Sequence, residues 1–224
     1  VLRQYGAKAL LEQIGADATG LPFNSIFAIL LENDHPSTPL VNAGAIVADS
    51  MVKPVGNSDE KWKAIVQNIT ELCGSEPQLI DELYKSESAT NFNNRSIAWL
   101  LKNYNRIYDD PSMSLDLYTR QCSLGITAKQ LSVCAATIAG DGLNPVSKQR
   151  VFEAGLSSKI TSLIATVGFY EHTGVHFRHS CKDRCRRWCN GCYARSIRYF
   201  RFRASFGWFG QFRQSSIGYQ IYHE

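Results

Sequence analysis

The stretch NAGAIVADSMV, residues 42–52, combines small and apolar residues with an amide side chain at its start. Three alanines and one glycine lie within these eleven positions. Small side chains allow a helix to pack closely against its neighbours. We therefore predict a close-packed helix over residues 42–52, with Asn42 at its beginning.

Residues on either side of this stretch continue a helical pattern, because apolar side chains recur three or four positions apart. Ser58 is predicted to cap one amphipathic helix, and Thr127 with Gln130 matches a capping box. For Ile26–Leu31 the pattern fits either a short strand or a buried segment. Further helices are predicted at Val1–Ile14, Asp59–Leu72, Leu79–Tyr84, Asn94–Tyr104, Ser112–Cys122, Thr127–Ala139 and about Ser157–Thr166.

The composition changes abruptly near residue 177. Residues 180–224 hold 9 basic and 2 acidic residues, 11 of the 25 aromatic residues and 4 of the 7 cysteines, without Leu, Val or Pro. Residues 1–179 hold 15 basic and 18 acidic residues and are rich in Leu, Ala and Val. We infer that two different kinds of sequence are joined here. The first is a compact, mostly helical body with no apolar run long enough to span a membrane.

Few residues of the body form a catalytic or metal-binding pattern that can be recognised from the sequence. Cys73, Cys122 and Cys134 are scattered, which is typical of reduced thiols in a cytosolic protein. The five histidines do not form a metal-binding pattern. Ser50 and Lys53 have the Ser-x-x-Lys spacing that lets a lysine activate a serine, but this match is common by chance and Lys53 precedes a proline.

Five longer stretches, taken together and in order, resemble the serine-dependent glutaminases of bacteria. They are GLPFNSI (20–26), PLVNAGAI (39–46), SESATNFNNRSIAWLL (86–101), YTRQCS (118–123) and GFYEHTG (168–174). The resemblance covers essentially all of residues 1–179. It implies an α/β, β-lactamase-like fold, in which a helical domain lies beside an antiparallel sheet flanked by helices, here incomplete.

The same resemblance implies hydrolysis of L-glutamine to L-glutamate and ammonia through a serine acyl-enzyme. It implies a cytoplasmic homo-oligomer, a dimer or a tetramer, that needs no metal or organic cofactor and has no nucleic-acid or membrane partner. The family's Ser-x-x-Lys nucleophile would lie a few residues upstream of Val1, so Ser50 and Lys53 occupy a non-catalytic position. We accordingly expect the polypeptide as printed to be inactive.

The resemblance also assigns five residues to glutamine binding. Asn42, Glu87, Asn94, Tyr118 and Tyr170 match the family's substrate contacts. Glu87 would pair with the ammonium group of the substrate, while Asn42, Asn94 and Tyr118 would orient its carboxylate. Tyr170 would lie near the reacting amide and assist proton transfer. Judged from the residues alone, the structural interpretation is favoured instead: Asn42 as a helix cap, Asn94 as a helix start, Glu87 as a surface charge, and the tyrosines as core residues.

The segment CKDRCRRWCNGC, residues 181–192, stands where the family has a glycine-rich A-K-T-G-V-G-G-G motif. Permitted codons for residues 181–200, when read one base out of register, encode Ala-Lys-Thr-Gly-Val-Gly-Gly-Gly. Residues 201–213 can likewise encode Ala-Pro-Pro-Leu-Asp and Gly-Asn-Ser. We therefore interpret residues 1–179 as a partial glutaminase domain. Residues 180–224 would be a frameshifted tail that does not fold as a native domain, with the shift between about Gly174 and His179.

Two alternatives remain at the sequence level. The four cysteines of the segment, among arginines and aromatic residues, could form a zinc-binding, basic module for nucleic acid, although their spacings are tight for a structural zinc site. A β-lactamase-like hydrolase of another amide, such as a penicillin, would keep the fold and change the substrate. Glu87 and Asn94 argue against that substrate because they match groups that bind a free amino acid.

Overall fold

The computed structural model describes residues 1–173, so the predictions for residues 180–224 lie outside the described residues. Its helices are α1 Leu2–Gln13, α2 Phe27–Leu31, α3 Asn42–Met51, α4 Ser58–Cys73, α5 Asp81–Thr90, α6 Phe92–Asn103, α7 Pro111–Cys122, α8 Ala128–Ala139 and α9 Leu156–Val167, with a 3-10 turn at Tyr170–His172. The strands β1 Gln78–Leu79 and β2 Leu124–Gly125 pair antiparallel, with Leu79 opposite Leu124. Within residues 1–173 no helix is long and apolar enough to cross a membrane.

Helix α3 lies at the centre of the helical layer, as its small residues predict. It packs against α6 and α7, and Ile46, Val47 and Met51 are fully buried in the main core. Gly44 shows why this helix needs small residues. A Cβ atom at this position would overlap the carbonyl group of Thr38, because the backbone before the helix passes directly over it.

Several predicted boundaries are wrong by a few residues, each for a local reason. The cap of α4 is Asn57 rather than Ser58, because the Asn57 side chain accepts the Glu60 amide at 3.1 Å. The helix predicted from Leu79 begins only at Asp81, since Leu79 belongs to β1. The capping box of Thr127 and Gln130 is confirmed.

Two further segments depart from a simple pattern. Ile26–Leu31 is neither a strand nor a wholly buried segment. Phe27–Leu31 form one short helix, in which Ile29 is buried and Phe27 and Leu31 are exposed. The first predicted helix is interrupted at Gly6, whose φ of 80° lies in the left-handed region that glycine adopts without strain. In both places the spacing of apolar residues indicated which side chains are buried, but it did not predict the path of the backbone.

A buried lysine fixes the end of α3. The Lys61 side chain is 0% exposed, and its ammonium group donates to the carboxylate of Asp109. The same group donates to the carbonyl oxygens of Ser50 at 2.7 Å and Asp49 at 3.3 Å. A cation is favourable at the carboxyl end of a helix, where carbonyl groups lack partners. Lys61 therefore links α3, α4 and the loop before α7.

The far end of α4 is held by a second buried polar group. The Asn144 side chain, fully buried, donates to the carbonyl oxygens of Glu71 at 2.7 Å and Leu72 at 3.4 Å. Its own oxygen accepts the amides of Val146 at 2.8 Å and Ser147 at 3.1 Å. One side chain thus joins the last turn of α4 to the loop that follows α8.

We predict that Lys61→Met lowers the free energy of unfolding by about 3–5 kcal/mol, because it leaves the Asp109 carboxylate buried without its cation. Urea unfolding of the purified chain measures this change. The double variant Lys61→Met/Asp109→Leu should recover a large part of the loss, since both charges are then removed. Lys63→Met, at an exposed position of the same helix, is the matched control and should change stability by less than about 1 kcal/mol. Equal effects at Lys61 and Lys63 would contradict the anchoring role.

Candidate active site

Two of the predicted site residues bind each other across the helical layer. Asn42 lies at the first position of α3 and Asn94 in the first turn of α6. The Asn42 side-chain amide donates to the side-chain oxygen of Asn94 at 2.9 Å. Asn42 is not the helix cap, because Val41 occupies that position and the Asn42 side chain makes no capping bond. Its amide is therefore directed towards α6.

Two tyrosines lie on the other side of the start of α3. The Tyr170 hydroxyl donates to the carbonyl oxygen of Leu40 at 2.9 Å, two residues before Asn42. Tyr118, on α7, is buried, and Cys122 follows it one turn later on the same helix. Burial raises the pKa of Tyr118 well above its usual value, and the neighbouring Cys122, Asp49 and Tyr170 act in the same direction. Tyr118 and Tyr170 thus share one electrostatic environment.

Glu87 approaches the same region from α5. Its side chain is only partly exposed, and loss of hydration raises the pKa of its carboxyl group. Glu87 also acts on the pKa of Cys122, which places it near the Tyr118–Cys122 pair. In the described part of the chain, no basic side chain forms an ion pair with Glu87. Its carboxylate is therefore available to a cationic group from outside the protein.

The structure adds one carboxyl group that the sequence analysis did not identify. Asp49 lies on α3 seven residues after Asn42, which puts both on one face of the helix. Burial raises the pKa of Asp49 to about 8, although Lys61 and the amino group of Val1 act in the opposite direction. Its Oδ2 atom has no hydrogen-bond partner among residues 1–173. The sequence signal that could have identified Asp49 is its position as the one charged residue within the apolar run 43–52.

A cavity of about 720 Å³ lies between α3, α4, α8 and α9, next to these residues. Asp49 and Tyr170 contribute to its lining, whereas most of the other walls are apolar. Of the five predicted residues, Asn42 and Asn94 are joined by a hydrogen bond, and Tyr170 binds the backbone close to Asn42 and lines the cavity. Tyr118 and Glu87 are linked to this group only through their electrostatic effects on Cys122 and through that of Tyr170 on Tyr118.

Ser50 and Lys53 do not form a catalytic pair. Ser50 is fully buried, and its hydroxyl donates to the carbonyl oxygen of Val47 at 2.7 Å. Lys53 lies beyond the end of α3 on the surface, where its ammonium group is 4.4 Å from the centre of the Tyr5 ring. The serine is therefore occupied by the backbone, and the lysine is directed to an aromatic face.

Comparison with known proteins shows the family of this chain. A sequence model of the family described as Glutaminase matches residues 1–179. The chain belongs to the glutaminase family. Over 174 residues it is 86% identical to a glutaminase of Parabacteroides distasonis and 80% identical to one of Bacteroides fragilis. In both cases the match covers 78% of this chain and 54% of the relative, so the chain spans about half the length of the curated relatives it matches.

Solved glutaminase structures share the fold. A structure titled as the probable glutaminase ybaS superposes with a TM-score of 0.74 at 40% identity, covering 78% of this chain and 56% of that one. A probable glutaminase of Bacillus subtilis gives a TM-score of 0.74 at 26% identity, covering 79% and 57% of the two chains. The predicted fold class is confirmed: the described residues are the mostly helical part of a β-lactamase-like glutaminase fold, with a small antiparallel sheet.

We predict that Asp49→Asn changes the pH dependence of glutaminase stability. The pKa of Asp49 is about 8 in the folded chain against 3.8 for a free side chain. Between these values the folded state holds a proton that the unfolded state has released. The group therefore lowers the free energy of unfolding as pH rises, by up to about 1.4 kcal/mol per pH unit.

The asparagine variant lacks this titration. Its stability relative to the parent chain should increase from about pH 4 to pH 8 and level off above pH 8. Urea unfolding at a series of pH values measures the difference, and Tyr118, Cys122 and the Val1 amino group are present in both proteins. A difference that does not vary with pH would show that Asp49 is ionised in the folded chain throughout this range.

Proposed function

We propose that the full-length protein containing this segment hydrolyses L-glutamine to L-glutamate and ammonia. The observation that carries the proposal is the half-buried Glu87 carboxyl group without a basic partner in residues 1–173, near the buried Tyr118. A site for a free amino acid needs an acidic group for the ammonium. It also needs amide and hydroxyl donors for the carboxylate, and the 86% identity to a glutaminase supports glutamine as that amino acid.

Within this proposal each site residue has a separate task. Glu87 pairs with the ammonium group of glutamine, and this ion pair compensates for the hydration that the carboxylate loses on burial. Asn42 and Asn94 hold each other at 2.9 Å, so their remaining amide groups are already oriented when the substrate carboxylate arrives. Tyr118 donates to the same carboxylate, and Tyr170 lies near the reacting amide and assists proton transfer.

The proposed reaction proceeds through a serine ester. The serine of the upstream Ser-x-x-Lys motif attacks the side-chain amide carbon, and its proton passes by way of the lysine to the leaving nitrogen. Ammonia departs and a glutamyl ester remains, which a water molecule hydrolyses to glutamate with return of the proton to serine. No metal or organic cofactor takes part in this scheme.

We propose further that residues 1–179 are a partial glutaminase domain and that residues 180–224 are translated out of frame. The match to the family ends at residue 179, close to the change in composition. Resequencing the gene across codons 170–185 tests the proposal. An added or missing base relative to the codons given for the glycine-rich motif is expected, and an unbroken frame through independent reads would overturn it.

The location and assembly belong to the same proposal. Cys73, Cys122 and Cys134 are free thiols, which suits a cytoplasmic protein. Helices α2 and α6 expose Phe27, Leu31, Phe92 and Trp99, and large exposed apolar side chains favour self-association into a dimer or tetramer. Sedimentation velocity of the full-length protein tests the assembly, and a monomer at all accessible concentrations would contradict it.

A chimera tests the activity with the residues of this chain. Residues 1–173 replace the matching segment of the Parabacteroides distasonis relative, which supplies the remainder of the length. We expect ammonia release from L-glutamine at a rate within about tenfold of the parent relative, with little release from D-glutamine or L-asparagine. Hydrolysis of a penicillin in preference to L-glutamine would instead support the β-lactam alternative.

In this chimera we predict that Glu87→Gln lowers kcat/KM for L-glutamine by about thirtyfold or more. The loss of a partly buried partner for the ammonium costs about 2 kcal/mol. Glu82→Gln, an exposed position on the same helix, is the matched control and should leave kcat/KM within about twofold. A change below threefold for Glu87→Gln would make this residue a surface charge and remove the main support for the proposed substrate.

A further inference from the structure

Two cysteines meet where the end of α4 packs against α8. The Thr137 hydroxyl of α8 donates to the carbonyl oxygen of Leu72 at 3.2 Å. One turn earlier on α8, Val133 would lie 3.4 Å from a Cβ atom built on Gly74. Cys73 stands between Leu72 and Gly74, and Cys134 directly follows Val133. The contacts on both sides therefore place the two cysteines opposite each other.

The side chains of Cys73 and Cys134 both line the cavity of about 720 Å³. Each thiol shifts the pKa of the other, as expected of two neighbouring thiols. Cys73 is buried, whereas Cys134 is partly exposed, so Cys134 is the thiol that a reagent meets first. The neighbouring Cys73 thiol lowers the pKa of Cys134, while the pKa of Cys73 is raised. Cys134 is thus the nucleophile and Cys73 the proton-holding partner.

Cys122, the third cysteine of the described residues, differs from this pair. Its neighbour is Tyr118 rather than a second thiol, and burial raises its pKa to about 12. A thiol with a raised pKa reacts slowly because the thiolate is the nucleophile. Cys122 is therefore an internal control for reactivity within the same chain.

We propose that Cys73 and Cys134 form a dithiol site that small organic disulfides oxidise to an intramolecular disulfide. The Cys134 thiolate attacks one sulfur of the reagent, forms a mixed disulfide and releases one thiolate. The Cys73 thiol then loses its proton and attacks the Cys134 sulfur, which releases the second thiolate. The two protons leave with the two reagent thiols, so the reagent is reduced by two electrons and the protein is oxidised by two.

The geometry allows this step with small side-chain movements. The two sulfurs must approach to about 2.05 Å in a disulfide, and rotation of the side chains about their χ1 angles changes the separation of the sulfurs without moving the backbone. The adjoining cavity gives room for this rotation and for a small reagent. The new bond would join the last residue of α4 to the middle of α8, two elements that already pack together, so the fold need not rearrange.

Peptide mapping of the full 224-residue chain tests the proposal. The folded protein is treated with oxidised 2-mercaptoethanol, free thiols are alkylated, and the product is digested with trypsin. Peptide 64–85 contains Cys73 as its only cysteine, peptide 130–148 contains Cys134, and peptide 121–129 contains Cys122. We expect a cross-link between 64–85 and 130–148 in most molecules, with peptide 121–129 alkylated, and an increase in Tm that a reductant reverses.

Three comparisons separate a specific pair from general oxidation. Cys134→Ser should leave Cys73 alkylated and abolish the increase in Tm, whereas Cys122→Ser should leave the cross-link unchanged. In concentrated guanidinium chloride the preference for this pair should disappear, because it depends on the packing of α4 on α8. The proposal is overturned if folded Cys73 stays fully alkylated, or if it links equally to Cys122 or to the cysteines of residues 181–192.

Discussion

The burial of one ammonium group determines how the helices of this chain are arranged. Lys61 has no exposed surface, so its charge must be neutralised and its three hydrogens must find acceptors within the protein. Asp109 supplies the countercharge, and the carbonyl groups of Asp49 and Ser50 supply the remaining acceptors. These acceptors exist only where α3 ends beside α4 and the loop before α7, so the lysine specifies this one packing. The opposite end of α3, where Asn42 meets Asn94, is positioned as a result.

Two carboxyl groups, one partly exposed and one buried, dominate the electrostatics of the candidate active site. Glu87 is half-buried at the surface of the site, and Asp49 is buried beneath it. Burial raises the pKa of both carboxyl groups because it penalises the charged form, and at Asp49 it outweighs the opposing effects of Lys61 and the Val1 amino group. A cationic ligand would reverse this balance at Glu87, where solvent still reaches the carboxyl group. Asp49, enclosed by Tyr118, Cys122 and Lys61, instead carries a standing cost that the surrounding core must offset.

The sequence predicted most helices of residues 1–173, because most of them bury apolar side chains at a regular spacing, although α5 has no fully buried residue. It also named five candidate site residues through resemblance rather than through chemistry, and their role in binding stays a prediction. Local interactions explain the wrong helix boundaries. Asn57 rather than Ser58 caps α4, and Leu79 pairs with Leu124 in the sheet instead of beginning α5. The Lys61–Asp109 pair and the Asp49 environment were out of reach, since they join residues 48 positions apart or depend on burial that only packing creates.

The buried amide of Asn144 has a consequence for how this structure opens. Helix ends normally fray first, because their last carbonyl groups are bound only to water. In α4 those groups are bound by Asn144 and Thr137, which belong to the loop after α8 and to α8 itself. The last turn of α4 cannot unwind unless that loop and helix separate from it. The backbone amides of the last turn of α4, of α8 and of the loop after α8 should therefore exchange their hydrogens with solvent as one cooperative unit. Their protection should be similar, rather than increasing gradually with distance from the helix end.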